Sequence, residues 1–508
     1  MSGGAERTSK SLVSNSRWNL VAFGFGLAAN FITIPFVVRW IGLDAFGLSA
    51  LVLAVCAPMT LIGTVLGQAL IREIASREGA GESESAESYI QAAIQLCLLA
   101  TAACWLLLVW IGPWTVRQML SAKQDTDLLL SAFLMAATGC MAQQVALVLQ
   151  GASAARQDYQ TIARITMLSA FAGVATTLGL TWLKPTPLGY LQGVAAGFLM
   201  SMLAWLFTLR KEIAWRGILA RARKPETAAL VQFGKWQGLA QLAGALGNQV
   251  DRYALGVLAP IAVVGQYTVA NRLQEAAYVG VVKAGEVLFP RFGSMSNESI
   301  VERQRFFQTS SWVMGVTSTA LLAPLALLAN SVLTAWVGAD AARGSDQILI
   351  VLVLGGMVGT ASNVFVYYAM GMGRNAPVAA ISLLYSVLTV GMTVLLIKHF
   401  GPKAAGAGLL IASVIRVSAA LLITRRLFFP ALTWAQLLVS TVLPVTVGVV
   451  IVAAGLYASW ARPENWLTML PVYALLGTLV LIANVCASAL TRTGREILTS
   501  ISRSWVER

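Results

Sequence analysis

Residues 89–111 read YIQAAIQLCLLATAACWLLLVWI, 23 positions without a charged side chain. A helix needs about 20 apolar residues to cross a hydrocarbon core about 30 Å thick, so this stretch spans a bilayer. A membrane barrel is excluded, because its strands alternate apolar and polar residues over about ten positions. Working outward, comparable runs fill the chain. Fourteen spans are predicted, at residues 18–38, 45–71, 89–111, 128–150, 161–183, 188–209, 228–258, 262–289, 307–329, 346–371, 376–397, 404–423, 432–459 and 467–490. Spans five and six are separated only by Lys184-Pro185-Thr186-Pro187, a tight turn.

The composition agrees. Of 508 residues, 57% are hydrophobic and 11% charged, against about a quarter charged in soluble chains. No segment between spans is long enough for a nucleotide-sugar, ATPase or protease domain. The first span exceeds a typical signal-peptide core and lacks a small-residue cleavage site after it, so it is expected to stay as a helix. The five cysteines, Cys56, Cys97, Cys104, Cys140 and Cys486, lie in apolar stretches without metal-ligand spacing and read as small buried hydrophobes. The one histidine, His399, sits in a short turn and reads as solvated. The acidic segment 73–87 reads as a solvated linker. No Walker A motif, HExxH motif or Cys/His cluster is present, so neither a cofactor nor a metal is expected.

Basic residues set the orientation. With the N-terminus inside, the inner segments hold 22 Lys and Arg, the outer segments eight and the spans six. The net charge of +14 is thus a topology signal, and no nucleic-acid partner is implied. Both termini are expected in the cytoplasm.

A shift of 218 residues aligns the first helix pair with spans seven and eight. Trp18, Ala22, Gly26 and Asn30 fall on Trp236, Ala240, Gly244 and Asn248. Further along, Gly47 meets Gly265, Gly67 meets Gly285, Leu70 meets Leu288 and Ser76 meets Ser294. The first four matches step by four and trace one helical stripe twice. Such stripes let helices approach closely in lipid, or they border a shared cavity. Both copies enter from the same side, as in a parallel repeat. The expected fold is therefore all-α: residues 1–210 and 228–425 as two six-helix lobes, 432–490 as two appended spans, and 491–508 as a cytoplasmic tail.

Charges within spans are costly and usually face protein or water. In span eight Arg272, Glu275, Lys283 and Glu286 fall within an arc of about 80° at helical spacing. Arg272–Glu275 and Lys283–Glu286 are (i, i+3) pairs able to neutralise each other; Lys283 and Glu286 are near enough to the cytoplasmic end to snorkel, whereas Arg272 and Glu275 lie near mid-helix and read as lumenal. In span seven Gln237, Gln241, Asn248 and Arg252 share a face, with Asp251 beside them. Arg416 lies deep in span twelve. Arg39 and Asp44 close the outer end of the first hairpin. The balance is cationic and rich in arginine, whose fork suits phosphate, so an anionic, phosphorylated cargo is expected.

Three stretches carry a family resemblance: Asn30-Phe31-Ile32-Thr33-Ile34-Pro35 with Arg39-Trp40-Ile41-Gly42-Leu43-Asp44-Ala45-Phe46-Gly47; Val250-Asp251-Arg252-Tyr253 through Val264-Gly265-Gln266-Tyr267-Thr268-Val269-Ala270-Asn271-Arg272-Leu273; and Asn363 through Met370-Gly371-Met372-Gly373-Arg374. Over about residues 10–430 the chain resembles the polysaccharide-specific (Wzx-type) flippases of the multidrug/oligosaccharidyl-lipid/polysaccharide exporter superfamily. That resemblance implies two lobes working by alternating access on an undecaprenyl-pyrophosphate-linked oligosaccharide. The flip would run from the cytoplasmic to the periplasmic leaflet of a bacterial inner membrane, for O-antigen, capsule or exopolysaccharide. Arg272, Arg252 and Arg416 would attract the pyrophosphate, Asn248 and Gln241 would line the sugar path, and Glu275 or Asp251 would couple a proton or sodium gradient. Glycosyltransferases and a polysaccharide polymerase are the implied partners, beside membrane lipid. Alternatives are a peptidoglycan lipid-precursor flippase and a cation-coupled multidrug exporter. A membrane polymerase or ligase fits less well, since no outer loop carries an acid–base constellation.

Overall fold

The computed structural model describes residues 2–78, 86–119, 126–156, 158–210, 224–295, 298–458, 463 and 465–506. Among the described residues the chain is helical with short connections and no strand. It divides into two compact units, residues 1–265 and 266–508.

Unit 1 begins with α1 (Ser2–Cys56), which is interrupted at Gly42, where φ is +80° and ψ 167°. A side chain is disfavoured at that φ, so glycine marks the turn of the expected first hairpin. A 3₁₀ turn, Ala57–Thr60, then precedes α2 (Leu61–Glu78). Pro58 has no N–H for an α-helical bond, which is why the span changes pitch there. The helix restarts at Leu61, whose first turn has N–H groups without intrahelical acceptors, and one of these is met by α4 (Thr126–Ala155). Its Gln144, fully buried, accepts from the Gly63 N–H at 3.0 Å and donates to the Cys140 carbonyl at 3.2 Å.

Between them runs α3 (Ala86–Met119), which contains the uncharged run 89–111. The tight turn joins α5 (Tyr159–Leu183) to α6 (Pro187–Thr208) as expected: Thr186 caps α6 by accepting from the Gly189 N–H at 3.1 Å, and Pro187 opens the helix. The core of the unit gathers Leu70 and Ile74 of α2, Ile90 and Cys97 of α3, Leu149 of α4 and Trp205 of α6. Next come α7 (Lys224–Leu258) and α8 (Ile261–Gly285). The Tyr253 hydroxyl of α7 donates to the Ala54 carbonyl of α1 at 2.7 Å. The boundary between the units falls inside α8.

Unit 2 continues with α9 (Leu288–Ser294) and α10 (Ile300–Leu327), the latter opened by a Ser299–Glu302 capping box. Two short helices, Ala329–Val337 and Ala339–Ala342, lead to α11 (Ser345–Thr360) and α12 (Asn363–Gly371). These two form one span broken at Ala361-Ser362. Then follow α13 (Asn375–Phe400) and α14 (Ala407–Ile423), which ends in a π turn, Thr424–Phe428. The next span is bent by 51° between α15 (Trp434–Thr441) and α16 (Leu443–Tyr457).

The last span, α17 (Trp466–Ala489), lies along α10. Trp312 donates to the Ser488 hydroxyl at 2.7 Å, Asn484 donates to the Thr319 hydroxyl at 3.4 Å, and the Tyr473 hydroxyl donates to the Leu321 carbonyl. The amphipathic α18 (Arg492–Val506) rests Ile497 against Trp312 and Val316.

Ten helices among the described residues are long and apolar enough to cross a membrane, or eleven with the bent pair. One of them, Gly24–Ile74, holds two of the expected spans, parted at Gly42. The expected spans seven and eight form helices α7 and α8 but fall outside that set, because their polar and charged side chains dilute the apolar content.

Candidate substrate-binding face

In unit 2, α8 carries its charges as the helical spacing predicts. Arg272 donates to Glu275 at 3.3 Å and Lys283 to Glu286 at 2.8 Å, with all four side chains between 41 and 52% exposed. Each cation on this face is therefore matched by a carboxylate one turn away, and the face is polar but neutral.

Arg416 is held differently. Its guanidinium, midway along α14, donates to the Asn363 amide oxygen at 3.3 Å and sits 5.1 Å from the centre of the Tyr385 ring of α13. Asn363, only 6% exposed, donates in turn to the Tyr278 hydroxyl of α8 at 3.2 Å. One turn beyond Asn363, the Tyr367 hydroxyl donates to the Val282 carbonyl of α8 at 3.1 Å.

Local structure explains the placement. The break in the span makes Asn363 the first residue of α12, with Ser362 turned back on the Gly359 carbonyl at 2.8 Å. Broken helices of this kind are where transporters hold polar ligands within the membrane. No ion pair to Arg416 occurs among the described residues. An amide and an aromatic face orient its charge without neutralising it, so the fork retains donors for an anion.

In unit 1, Asp251 and Arg252 are buried, at 5 and 7% exposure, and Arg252 donates to the Gln249 side chain one turn before it. Gln241 donates to the Gln68 side chain of α2 at 2.9 Å. The side chain of Asn248 lies outside the described residues, as do those of Trp18, Asn30, Trp236, Ala240 and Gly244 in the repeated stripe. Of the expected site residues, Arg272, Glu275 and Arg416 thus fall in unit 2, and Gln241, Asp251 and Arg252 in unit 1. Tyr278, Asn363, Tyr367 and Tyr385 are additions. The available signal for Asn363 was a Ser-Asn pair inside an otherwise apolar span. No group of His, Cys, Asp or Glu among the described residues is arranged to hold a metal ion.

The polysaccharide biosynthesis protein family matches this chain over residues 12–296. The fold is similar to that of the lipid II flippase MurJ in an inward closed conformation, with a TM-score of 0.71, 13% identity, and coverage of 93% of this chain and 98% of that one. It is also similar to an inward-facing multidrug resistance MATE family transporter of the MOP superfamily, with a TM-score of 0.65, 14% identity, and coverage of 87 and 99%. A MOP superfamily transporter from Pyrococcus furiosus matches with a TM-score of 0.57 and 15% identity over 87% of this chain and 96% of that one. No curated protein matches the sequence. At such identities the structural likeness is one of fold, and function has to be argued from the site.

Proposed function

We propose, from the premise that this chain belongs to the polysaccharide biosynthesis protein family, that it is an alternating-access flippase for an undecaprenyl-pyrophosphate-linked oligosaccharide. It carries the cargo from the cytoplasmic to the periplasmic leaflet of a bacterial inner membrane, with both of its termini cytoplasmic. The product supplies O-antigen, capsule or exopolysaccharide assembly, with glycosyltransferases before it and a polymerase after it. The observation that supports this reading most directly is Arg416, an intramembrane guanidinium oriented by Asn363 and Tyr385 and paired with no carboxylate among the described residues. A cationic drug would be repelled by it; a pyrophosphate is attracted.

Arg272 is a further mid-span cation of the same unit, and its pairing with Glu275 at 3.3 Å supplies a switch. Protonating Glu275 removes the carboxylate partner and frees the Arg272 fork for phosphate oxygens. Loss of the proton restores the pair and expels the anion. A ligand drives a conformational change only by binding its two states unequally, and this exchange creates that inequality. Asp251 beside Arg252 in unit 1 is the other candidate for the same task. Gln241 and Asn248 offer amides to sugar hydroxyls, while the lipid tail stays in the bilayer.

The test is mass spectrometry of undecaprenyl-linked glycans from a strain depleted of the protein, scored also for surface polysaccharide. Accumulation of one lipid-linked repeat unit with loss of its polymer is expected. Accumulation of the peptidoglycan precursor with lysis would instead assign the chain to the function borne by the lipid II flippase it resembles in fold. No change in either would remove lipid-linked glycans as the cargo.

A further inference from the structure

At the end of unit 2 where α12 meets α13 and α14 meets α15, arginines gather over an aromatic layer. Tyr368 and Phe428 pack edge to face at 5.1 Å, and Phe292 packs likewise on Tyr368 at 5.2 Å. Arg374 lies 5.7 Å from the centre of the Phe428 ring, and Arg425 4.6 Å from that of Trp434. Arg303 donates to the Met372 sulfur at 3.5 Å and lies beside the Tyr368 hydroxyl.

The backbone is shaped to bring them there. Gly373, at φ +71°, turns the chain so that Arg374 follows α12 at once. A Cβ on Gly371 would lie 2.8 Å from that of Phe292, so only glycine admits the aromatic layer. The π turn adds a residue to the end of α14, burying Phe428 while Arg426 and Leu427 stay exposed. Turns of this kind recur at functional sites.

The acids of this end are already engaged. Glu298 pairs with Arg291 at 3.6 Å, Glu496 with Arg492 at 3.3 Å, and Glu302 closes the α10 capping box. Arg303, Arg374, Arg425 and Arg426 have no carboxylate partner among the described residues. Beside them Leu427, Trp434 and Leu438 present exposed apolar surface. A cationic cluster bordered by a greasy strip fits an amphiphile better than a free anion.

We infer that this end of unit 2 is a head-group site for an anionic phospholipid, its phosphodiester held by Arg374 and Arg425 with Arg303 and Arg426 around them, and its acyl chains lying on Leu427 and Leu438. Parity of the spans puts the site in the cytoplasmic leaflet, where anionic head groups attract basic clusters. It is separate from the Arg416 network, so it stands or falls independently of the cargo proposed above.

Native mass spectrometry of the full-length protein in detergent tests it, using phosphatidylglycerol, phosphatidylcholine of the same acyl chains, and undecaprenyl pyrophosphate. Phosphatidylglycerol is expected to be retained over phosphatidylcholine. The Arg374→Gln/Arg425→Gln pair should weaken that retention about thirty-fold, as expected for two basic groups at an anionic surface. Arg343→Gln, in the loop before α11, should leave it unchanged. Arg374→Lys/Arg425→Lys preserves charge without the planar fork, and should retain phosphatidylglycerol at an intermediate level even where the Gln pair does not fold. Equal retention of the two phospholipids, or wild-type retention in either pair, would overturn the site. Competition by undecaprenyl pyrophosphate that the arginine variants abolish would overturn it too, by assigning these arginines to the cargo.

Discussion

Gly47 and Gly265 meet backbone to backbone, and the contact is reciprocal. A Cβ on Gly47 would run into the Ile261 carbonyl oxygen, and one on Gly265 would lie 2.5 Å from the Leu43 carbonyl oxygen. Positions 43 and 261, like 47 and 265, are 218 residues apart. Each segment therefore makes on the other the contact the other makes on it, which is the signature of a local two-fold relation. The 218-residue shift, weak as a count of identities, thus corresponds to a physical relation between Leu43–Gly47 and Ile261–Gly265.

This contact sets the first prediction. Gly47→Ala or Gly265→Ala drives a methyl group into a carbonyl that cannot move aside, at a cost of about 1–3 kcal/mol for overpacking. Each should lower the melting temperature of the detergent-purified protein. Once one methyl has parted the helices the second costs less, so the double variant should fall short of the sum. Strict additivity would mean that the two glycines do not share one contact.

The Arg272–Glu275 pair sets the second. Glu275→Gln imitates the protonated state permanently. It should slow transport, because release of the anion is no longer triggered, and flatten the pH dependence. Transport that keeps the wild-type pH profile in Glu275→Gln would remove this residue from coupling.

For Arg416, replacement by Gln should reduce transport about tenfold to a hundredfold, the range for losing a charge-assisted hydrogen bond. Asn363→Leu keeps the arginine but removes the amide that aims it. A smaller fall, with weaker cargo binding and an unchanged melting temperature, is expected. Tyr278→Phe frees only the far side of Asn363 and should be mildest. The order of the three, measured by glycan flipping into proteoliposomes, is the check.

The seam between α10 and α17 gives a fourth. Ser488→Ala strands the Trp312 N–H, 2.7 Å from its present acceptor, and should destabilise the protein by about 1 kcal/mol, the size of interhelical bonds in membranes. Ser488→Ala added to Trp312→Phe should cost less than it does alone.

Local features were legible from the sequence alone, and distant ones were not. The α5–α6 turn announced itself through Pro185, Thr186 and Pro187, and the α8 ion pairs through three-residue spacing. These depend on neighbours within one helical turn. The bond from Arg416 to Asn363 joins residues 53 positions apart, and its acceptor stands at the start of α12 because a span breaks at Ala361-Ser362. No periodicity carries that information. Asn363 was visible as part of a motif while its task was not. Arg272 stands out in the sequence as a mid-span charge, yet its partner neutralises it, whereas Arg416 has no carboxylate partner among the described residues.

Gln144 of α4 accepts from the Gly63 N–H, a donor in the first turn of α2 that the restart of the helix at Leu61 leaves without an intrahelical acceptor. In hydrocarbon no water can take over that bond, and stranding a buried N–H costs about 1–3 kcal/mol. The two helices consequently cannot slide past each other without a penalty, although Pro58 by itself would make α2 supple. The break before α2 is thus splinted in the fold: displacing α2 along α4 strands the Gly63 donor.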